Sequence, residues 1–247
     1  MKTKHILLLC AALLAAQHSR AQYFDYLSAG ITIGTEGVGA ELATLIGPHF
    51  QLRAGYNYAP EYPKIKTSSV NVPDMPESKT HKTATVNIFT GLHQNAGHLM
   101  INYYPWAFSD FYVCAGAFYG EKEYLSVSVR KIPKEYNNYI LQGEDGQLRP
   151  GDTGGAFDGY IRGNSLKPYL GIGIGRAISE EHFVSLALEL GVQYVGPQKL
   201  YLKDSTGTPV AFLRENLPEE FQQPYDFTMN ASRFYPTISF KVFFNIL

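Results

Sequence analysis

Long apolar runs and an excess of positive charge are both missing from this chain of 247 residues. No stretch reaches the ~18 apolar residues that a membrane-spanning helix needs. The 21 Lys and Arg residues are balanced by 22 Asp and Glu residues. This balance lacks the excess of positive charge that is typical of nucleic-acid-binding proteins, so we expect no nucleic-acid partner. If the chain crosses a membrane, it must do so as a closed barrel, because only helices and barrels satisfy their backbone groups in lipid.

The N-terminus has the features of a secretory signal peptide. Lys2 and Lys4 precede an apolar run from Ile6 to Ala16, and small residues flank Arg20. The alternative, a soluble N-terminal helix, would show a polar face, and none breaks the run. The pattern predicts a signal peptide over residues 1–21, cleaved between Ala21 and Gln22, and a single mature domain over residues 22–247.

Cysteine is scarce, with only Cys10 and Cys114 present. Cys10 would carry the lipid of a lipoprotein, but the apolar stretch before it, Ile6 to Leu9, is shorter than the roughly 7–15 residues of such a signal. After cleavage Cys114 stands alone, which excludes an intrachain disulfide and a Cys/His metal site. No glycine-rich phosphate loop followed by lysine occurs. We therefore expect no cofactor and no metal ligand.

Alternation of apolar and polar residues with a period of two is the dominant pattern, and it is typical of strands with two unlike faces. It is clearest in residues 182–196, where Leu186, Leu188 and Leu190 alternate with Ala187 and Glu189. Eight segments are predicted to be strands: Leu27–Ile33, Gly37–Ile46, Phe50–Tyr58, Thr83–Tyr104, Phe111–Tyr119, Tyr169–Gly175, His182–Gly196 and 237–246.

The links between these segments alternate in length from the second strand onward. Short links lie at 47–48, 107–110 and 178–181, and long polar links lie at 59–82, 129–154 and 203–230. Short turns at one end and long loops at the other are typical of outer-membrane barrels. We expect segment 59–82, with its four prolines, to be irregular, a hairpin-like turn at Gly143–Gly146, and helical turns within 211–226. Residues 34–37 form either a tight turn or a kink in one long strand.

Several stretches resemble a family of small bacterial outer-membrane β-barrels, of the OmpA- or OmpW-like porin type. They are residues 34–41, 52–58, 97–105 with 111–119, and 168–173 running on to 190–192 and 196–197, with Tyr235-Pro236 before the last strand. The resemblance implies an all-β fold, an eight-stranded antiparallel transmembrane β-barrel in the cell outer membrane. It also implies two partners, the outer-membrane lipid and the barrel insertion machinery. The chain departs from the family in ending on Leu247 rather than on an aromatic residue.

The polar face of the strands predicts a charged barrel interior. Glu41, Arg53, Glu189 and Lys241 fall on this face, and closure of the barrel would bring them together. Since an eight-stranded barrel is just wide enough to be filled by side chains, they form either a structural ion-pair core or a narrow polar path for ions. The apolar face and the aromatic residues at strand ends would then meet lipid and its interfaces. These aromatic residues are Tyr56, Tyr58, Tyr103, Tyr104, Trp106 and Tyr194.

A soluble β-sandwich would show the same alternation, but it would bury its apolar face against a second sheet. The residues indicate no catalytic set. His182 and Ser185, like His93 and His98, point to opposite faces of a strand, and Asp74, Ser78 and His81 lie in a proline-rich segment. We therefore expect a barrel that is not an enzyme, with a structural or surface-interaction role. The alternatives are a narrow channel or solute-binding barrel and, less favoured, a lipid-modifying enzyme.

Overall fold

The computed structural model describes residues 26–60, 65–72, 84–106, 109–132, 134, 137–138, 140–179, 182–212 and 233–246. The signal peptide, its cleavage site and the last residue lie outside these ranges. The described part is built of strands, which are numbered here in chain order: β1 Leu27–Gly34, β2 Gly37–Gly47, β3 Phe50–Ala59, β4 Ile65–Val72, β5 Ala84–Leu92, β6 Gln94–Tyr103, β7 Phe111–Gly120, β8 Glu123–Arg130, β9 Leu141–Gln142, β10 Gln147–Leu148, β11 Phe157–Arg162, β12 Leu166–Gly175, β13 Val184–Tyr194, β14 Lys199–Lys203, β15 Pro209–Phe212 and β16 Phe234–Asn245.

Eight of these strands form a closed antiparallel barrel in the order β1-β16-β13-β12-β7-β6-β3-β2. The first strand pairs with both β2 and β16, so that no edge is left open. Gly34 pairs with Gly37, which makes residues 35–36 a tight hairpin turn between two separate strands. The predicted all-β, eight-stranded barrel is confirmed, and the soluble sandwich is excluded.

The alternation of apolar and polar residues in the sequence corresponds to a burial pattern opposite to that of a soluble protein, with the apolar residues exposed and the polar residues buried. On β13, the outward residues from Val184 to Tyr194 are each between 36% and 56% exposed. The inward residues Ser185, Ala187, Glu189 and Gln193 are at most 8% exposed. Apolar side chains therefore cover the outside of the barrel and polar side chains fill its interior, which is the arrangement of a barrel whose surroundings are apolar.

A second sheet of six strands stands at the end of the barrel that carries the long links. Its order is β15-β14-β11-β8-β5-β4, and several of its strands run almost directly into barrel strands, as β7 does into β8. A small apolar core packs against this sheet. It consists of Leu148, Phe157, Leu202, Val210 and Phe212, all less than 9% exposed. The described parts of the long links thus contribute to this second sheet, which we name the outer sheet.

The outer sheet corrects three expectations. Segment 59–82 is not irregular throughout, because Ile65–Val72 pairs with β5. The single strand expected over 83–104 is two strands that separate at His93, one in each sheet. A strand also lies inside the described part of the long link 203–230, where Pro209–Phe212 pairs with Lys199–Lys203. The physical reason is the same in each case: backbone groups of neighbouring links satisfy one another in a ladder instead of being left to solvent.

Two other expectations about the links have different outcomes. The hairpin-like turn at Gly143–Gly146 is confirmed, since Leu141–Gln142 pairs with Gln147–Leu148 around it. The helical turns expected within 211–226 fall largely outside the described residues, and residues 211–212 belong to β15. Among the helices of the described chain, none has the length and apolarity to cross a membrane.

Candidate functional site: the polar core of the barrel

The four charged residues expected on the inner face all lie inside the barrel. Glu41, Arg53, Glu189 and Lys241 are each at most 4% exposed. The strand register explains how they approach one another. Arg53 pairs with Ala43, two residues from Glu41, and Lys241 pairs with Ala187, two residues from Glu189. Residues two apart along a strand share a face, so each acid lies diagonally across from one base.

The four side chains form a ring in which the signs alternate. Arg53 donates to Glu41 through Nη1 at 2.9 Å and to Glu189 through Nη2 at 2.6 Å. The Lys241 ammonium lies 2.9 Å from Glu41 and 3.3 Å from Glu189. Each base therefore contacts both acids, and the formal charges of the ring sum to zero. Charges this deeply buried are tolerated only when they are paired and hydrogen-bonded.

Further polar side chains complete the ring, and the sequence did not reveal them. Tyr112 and Tyr169 each donate their hydroxyl to Glu189, at 2.7 Å and 2.9 Å. The Arg53 Nε donates to Asn102 at 3.0 Å, and Nη2 also reaches the sulfur of Cys114 at 3.2 Å. Glu189 consequently receives four donors, two cationic and two phenolic. It is the most fully bonded acid of the ring.

Glycines on neighbouring strands make room for the two tyrosines. A Cβ added at Gly173 would lie 2.3 Å from the Tyr112 ring, and one at Gly191 would lie 2.2 Å from the Tyr169 hydroxyl. Cβ atoms essentially never approach this closely, so a larger residue at either position would displace the tyrosine that lies over it. The pairing of inward tyrosines with glycines across the strands was the available sequence signal. It becomes readable only once the register is known.

On the side of the short links, the segment after β12 lies inside the barrel. Ala177 and Ile178 are 2% and 3% exposed and pack against Ala43, Ala187 and Phe243. Side chains of the barrel wall hold this segment in place, because Ser28 donates to the Ala177 carbonyl and Gln51 to the Ile178 carbonyl. An apolar wedge thus lies beneath the polar ring.

A chain of hydrogen bonds crosses the barrel on the side of the outer sheet. Asn57 and Gln193 donate to the two oxygens of Glu36, and Gln94 donates to Gln193. Glu36 lies in the turn between β1 and β2 and is 4% exposed. Burial raises the pKa of its carboxyl, while Lys241 and the Gln193 amide oppose that rise. Inside the barrel the side chains thus form three layers of contacts: the wedge, the charged ring and this amide layer.

The chain matches no protein-family model, and no curated protein matches it in sequence. Solved structures do resemble it. The crystal structure of CarO2 from Acinetobacter baumannii superposes with a TM-score of 0.52 at 19% sequence identity, covering 91% of this chain and 100% of that one. The crystal structure of CarO from the same organism gives 0.48 at 21% identity, covering 88% and 96%.

The chain shares the barrel fold of CarO2. At this level of identity the likeness concerns the fold alone. The OmpA- or OmpW-like assignment therefore stays a prediction.

The histidines expected to oppose each other along their strand lie in different surroundings. His98 is inside the barrel, 7% exposed, whereas His93 lies at the junction with the outer sheet and pairs with Glu121 at 2.7 Å. Ser185 points inward and is 8% exposed, while His182 lies exposed in the link before β13. Asp74, Ser78 and His81 lie outside the described residues. Within the described ranges, no three His, Cys, Asp or Glu side chains are placed to hold a metal ion.

The aromatic residues expected at the strand ends are exposed, with one exception. Tyr56, Tyr58, Tyr103, Trp106 and Tyr194 are 39% to 62% exposed. Tyr104 is not part of this set, because it is 1% exposed and its hydroxyl donates to Gln51 inside the barrel. The reason is that Tyr104 directly follows the outward Tyr103, and adjacent residues of an extended chain point to opposite faces.

Removing the Tyr112 hydroxyl by Tyr112→Phe is expected to lower the free energy of unfolding by about 1.5–3 kcal/mol, the cost of losing a hydrogen bond to a charged group. Urea unfolding of the refolded protein measures the change. The control is Tyr119→Phe on the same strand, whose 70% exposed side chain points outward and should change stability by no more than about 0.5 kcal/mol. Equal stability of both variants would show that the Tyr112 contact with Glu189 contributes nothing.

Proposed function

We propose that this chain is an integral protein of the bacterial outer membrane, with a barrel closed by its own side chains and a surface-interaction role carried by the outer sheet. The observation that carries the proposal is the distribution of side chains in the barrel: apolar residues cover its exterior, and ion-paired residues lie in its interior. In water, such an arrangement would expose a continuous apolar belt far larger than the patches that soluble monomers tolerate.

The outward belt has the composition expected of a surface in contact with lipid. Exposed aliphatic residues occupy its middle and exposed aromatic residues lie towards both ends, as in the interfacial girdles of membrane barrels. Barrel strands of 8 to 12 residues are close to the 9–11 residues that cross a bilayer when tilted. Towards the short links the aromatic residues are Phe50, Tyr103, Trp106, Phe183 and Phe244, and towards the outer sheet they are Tyr56, Tyr58, Tyr119, Tyr194 and Phe234.

Export and insertion belong to the same proposal. The signal peptide over residues 1–21 supports passage across the inner membrane, and the last strand supports recognition by the barrel insertion machinery. On β16, Ile238, Phe240 and Phe244 point outward and are 38% to 53% exposed. The orientation follows from the link lengths: short links would face the periplasm and the outer sheet would face the exterior.

Contacts across the interior support a surface role over an open pore. The charged ring, the wedge at Ala177 and Ile178 and the amide layer at Glu36 each span the interior by direct contacts. The second candidate is a narrow channel, and one observation favours it. Each base of the ring contacts both acids, so an ion pair can be exchanged for another without leaving a charge unpaired.

Fractionation tests the membrane proposal. The protein should stay with the envelope after washing with urea or alkaline carbonate, dissolve only in detergent, and migrate differently on gels before and after heating. Release by the urea wash would contradict it. Trypsin added to intact cells should cleave within the outer sheet and leave the barrel whole.

Planar-bilayer recording separates the two candidate functions. The purified wild-type protein is expected to give no current steps above the lipid background, because three layers of contacts close its interior. Reproducible steps that disappear with unfolded protein would instead establish the narrow channel. In that case the surface role loses its main support, while the membrane assignment stands.

A further inference from the structure

His98 is a buried imidazole whose polar atoms are left unsatisfied. Its side chain points into the barrel from β6 and is 2% exposed. Neither ring nitrogen makes a hydrogen bond within the described structure. Its ring packs against Phe118, with centroids 5.2 Å apart. A buried polar group without a partner costs free energy, and such a group in a native structure calls for an explanation.

A carboxylate oxygen lies within reach of this ring. The Nε2 atom of His98 is 3.3 Å from Oε1 of Glu41. Gly55 permits the approach, since a Cβ there would lie 2.8 Å from both the Glu41 Cγ and the His98 Cε1. The two side chains thus meet over a backbone position that carries no side chain.

The same Glu41 oxygen is already occupied by a cation. Lys241 Nζ lies 2.9 Å from Oε1 of Glu41 and 3.3 Å from Oε1 of Glu189. The second Glu41 oxygen receives Arg53. His98 and Lys241 therefore approach the same acceptor oxygen, where a protonated imidazole would repel the ammonium, and Lys241 has a second acid within reach.

We propose that His98 is a proton-binding site that rearranges the charged ring. When a proton from solvent binds the imidazole, the charged ring donates through Nε2 to Oε1 of Glu41. Lys241 then moves from Glu41 towards Glu189, and Arg53 keeps both of its acids. Histidine is the side chain that most often exchanges a proton under mild acidification, so a change of pH is the trigger to test.

Charge balance supports this direction of movement. The ring of two acids and two bases is neutral, so protonation of His98 adds one positive charge to the interior. Glu36, in the turn between β1 and β2, is a further acid of the interior and accepts hydrogen bonds from the Asn57 and Gln193 amides. The other titratable and charged groups of the interior around His98 are Glu41 on β2, Arg53 on β3, Tyr112 and Cys114 on β7, Lys167 and Tyr169 on β12, Glu189 on β13 and Lys241 on β16.

Nuclear magnetic resonance of the full chain in detergent, labelled with nitrogen-15 in histidine, tests the first half of the proposal. The imidazole signals that vanish in His98→Gln belong to His98. In wild-type protein these signals are expected to change from the neutral to the charged form between pH 8 and 5. His98 signals that stay in the neutral form down to pH 5 would overturn the proposal.

Infrared difference spectra between pH 8 and 5 test the second half. Wild-type protein should show a change in the carboxylate bands as Lys241 leaves Glu41, and Glu41→Gln identifies the Glu41 contribution. His98→Gln should lose that contribution, while the matched control His93→Gln should keep it, because His93 pairs with Glu121 at the junction with the outer sheet. Heat-modifiable migration verifies that each variant is folded. A Glu41 band change that persists in His98→Gln would refute the switch, whether or not the barrel conducts.

Discussion

Replacing Arg53 with alanine is expected to lower the free energy of unfolding by about 3–5 kcal/mol, the usual cost of breaking a buried ion pair from one side. Arg53 is 1% exposed and donates to Glu41, Glu189 and Asn102. Its removal leaves two buried acids with Lys241 as their only cation in the ring. Urea unfolding in lipid vesicles measures the loss, and heat-modifiable migration reports whether the variant folds.

A charge-balanced double variant distinguishes the effect of losing the ion pairs of Arg53 from the effect of losing the packing of its side chain. Arg53→Met alone leaves one acid in excess, whereas Arg53→Met combined with Glu189→Gln leaves Lys241 with Glu41 as a neutral pair. The double variant should therefore be more stable than Arg53→Met.

An exposed pair provides the control for Arg53→Ala. In Arg162→Ala, the lost pair with Glu123 is about 40% exposed, so the change should stay near 1 kcal/mol. If Arg53→Ala is no more destabilising than this control, the ring does not hold the barrel together.

The prediction of the barrel from sequence was accurate because two simple rules operate throughout it. The period of two places residues on faces, and closure places β16 beside β1. These rules placed Glu41, Arg53, Glu189 and Lys241 on the inner face, but they missed Glu36 in the β1–β2 turn and Lys167 on β12, which are also buried. They carry no information on how far along its strand each residue lies relative to its neighbour across the barrel.

Tyr112 and Tyr169 show what the same rules cannot supply. A tyrosine at a strand position fits both a lipid interface and an interior hydrogen bond, because it has an apolar ring and a polar hydroxyl. Two observations show that both tyrosines point inward. Gly173 and Gly191 lie across from their rings, and both hydroxyls donate to Glu189. Both observations depend on the strand register. Alternation gives the face of each residue but does not show which residue of the neighbouring strand it pairs with.

The outer sheet was missed for a different reason. Its strands lie in links that carry prolines and charges, and such composition usually indicates irregular structure. Leu125, Val127 and Val129 do alternate with polar residues on β8, and that pattern was readable. The break at His93 was not, because the apolar pattern continues across it while the chain leaves one sheet for the other.

The second large effect is expected at the centre of the outward belt, and it decides whether that belt lies in lipid. Leu188 lies midway along β13, is 48% exposed, and has Ile174 and Phe240 as outward neighbours across the strands. In a bilayer, Leu188→Arg should lower the free energy of unfolding by about 2–4 kcal/mol, because a cation at the midplane must leave water. On a surface facing water, the same change at so exposed a site should cost no more than about 0.5 kcal/mol.

The control for Leu188→Arg is Ile140→Arg, which introduces the same cation at a site 43% exposed in the link between β8 and β11, away from the barrel wall. Both variants are refolded into vesicles and unfolded with urea beside wild-type protein. A loss confined to Leu188→Arg places the belt in the hydrocarbon region. Equal stability of the two variants would mean that apolar residues on the outside of the barrel face something other than lipid. The membrane assignment would then fail, even though the barrel fold is secure.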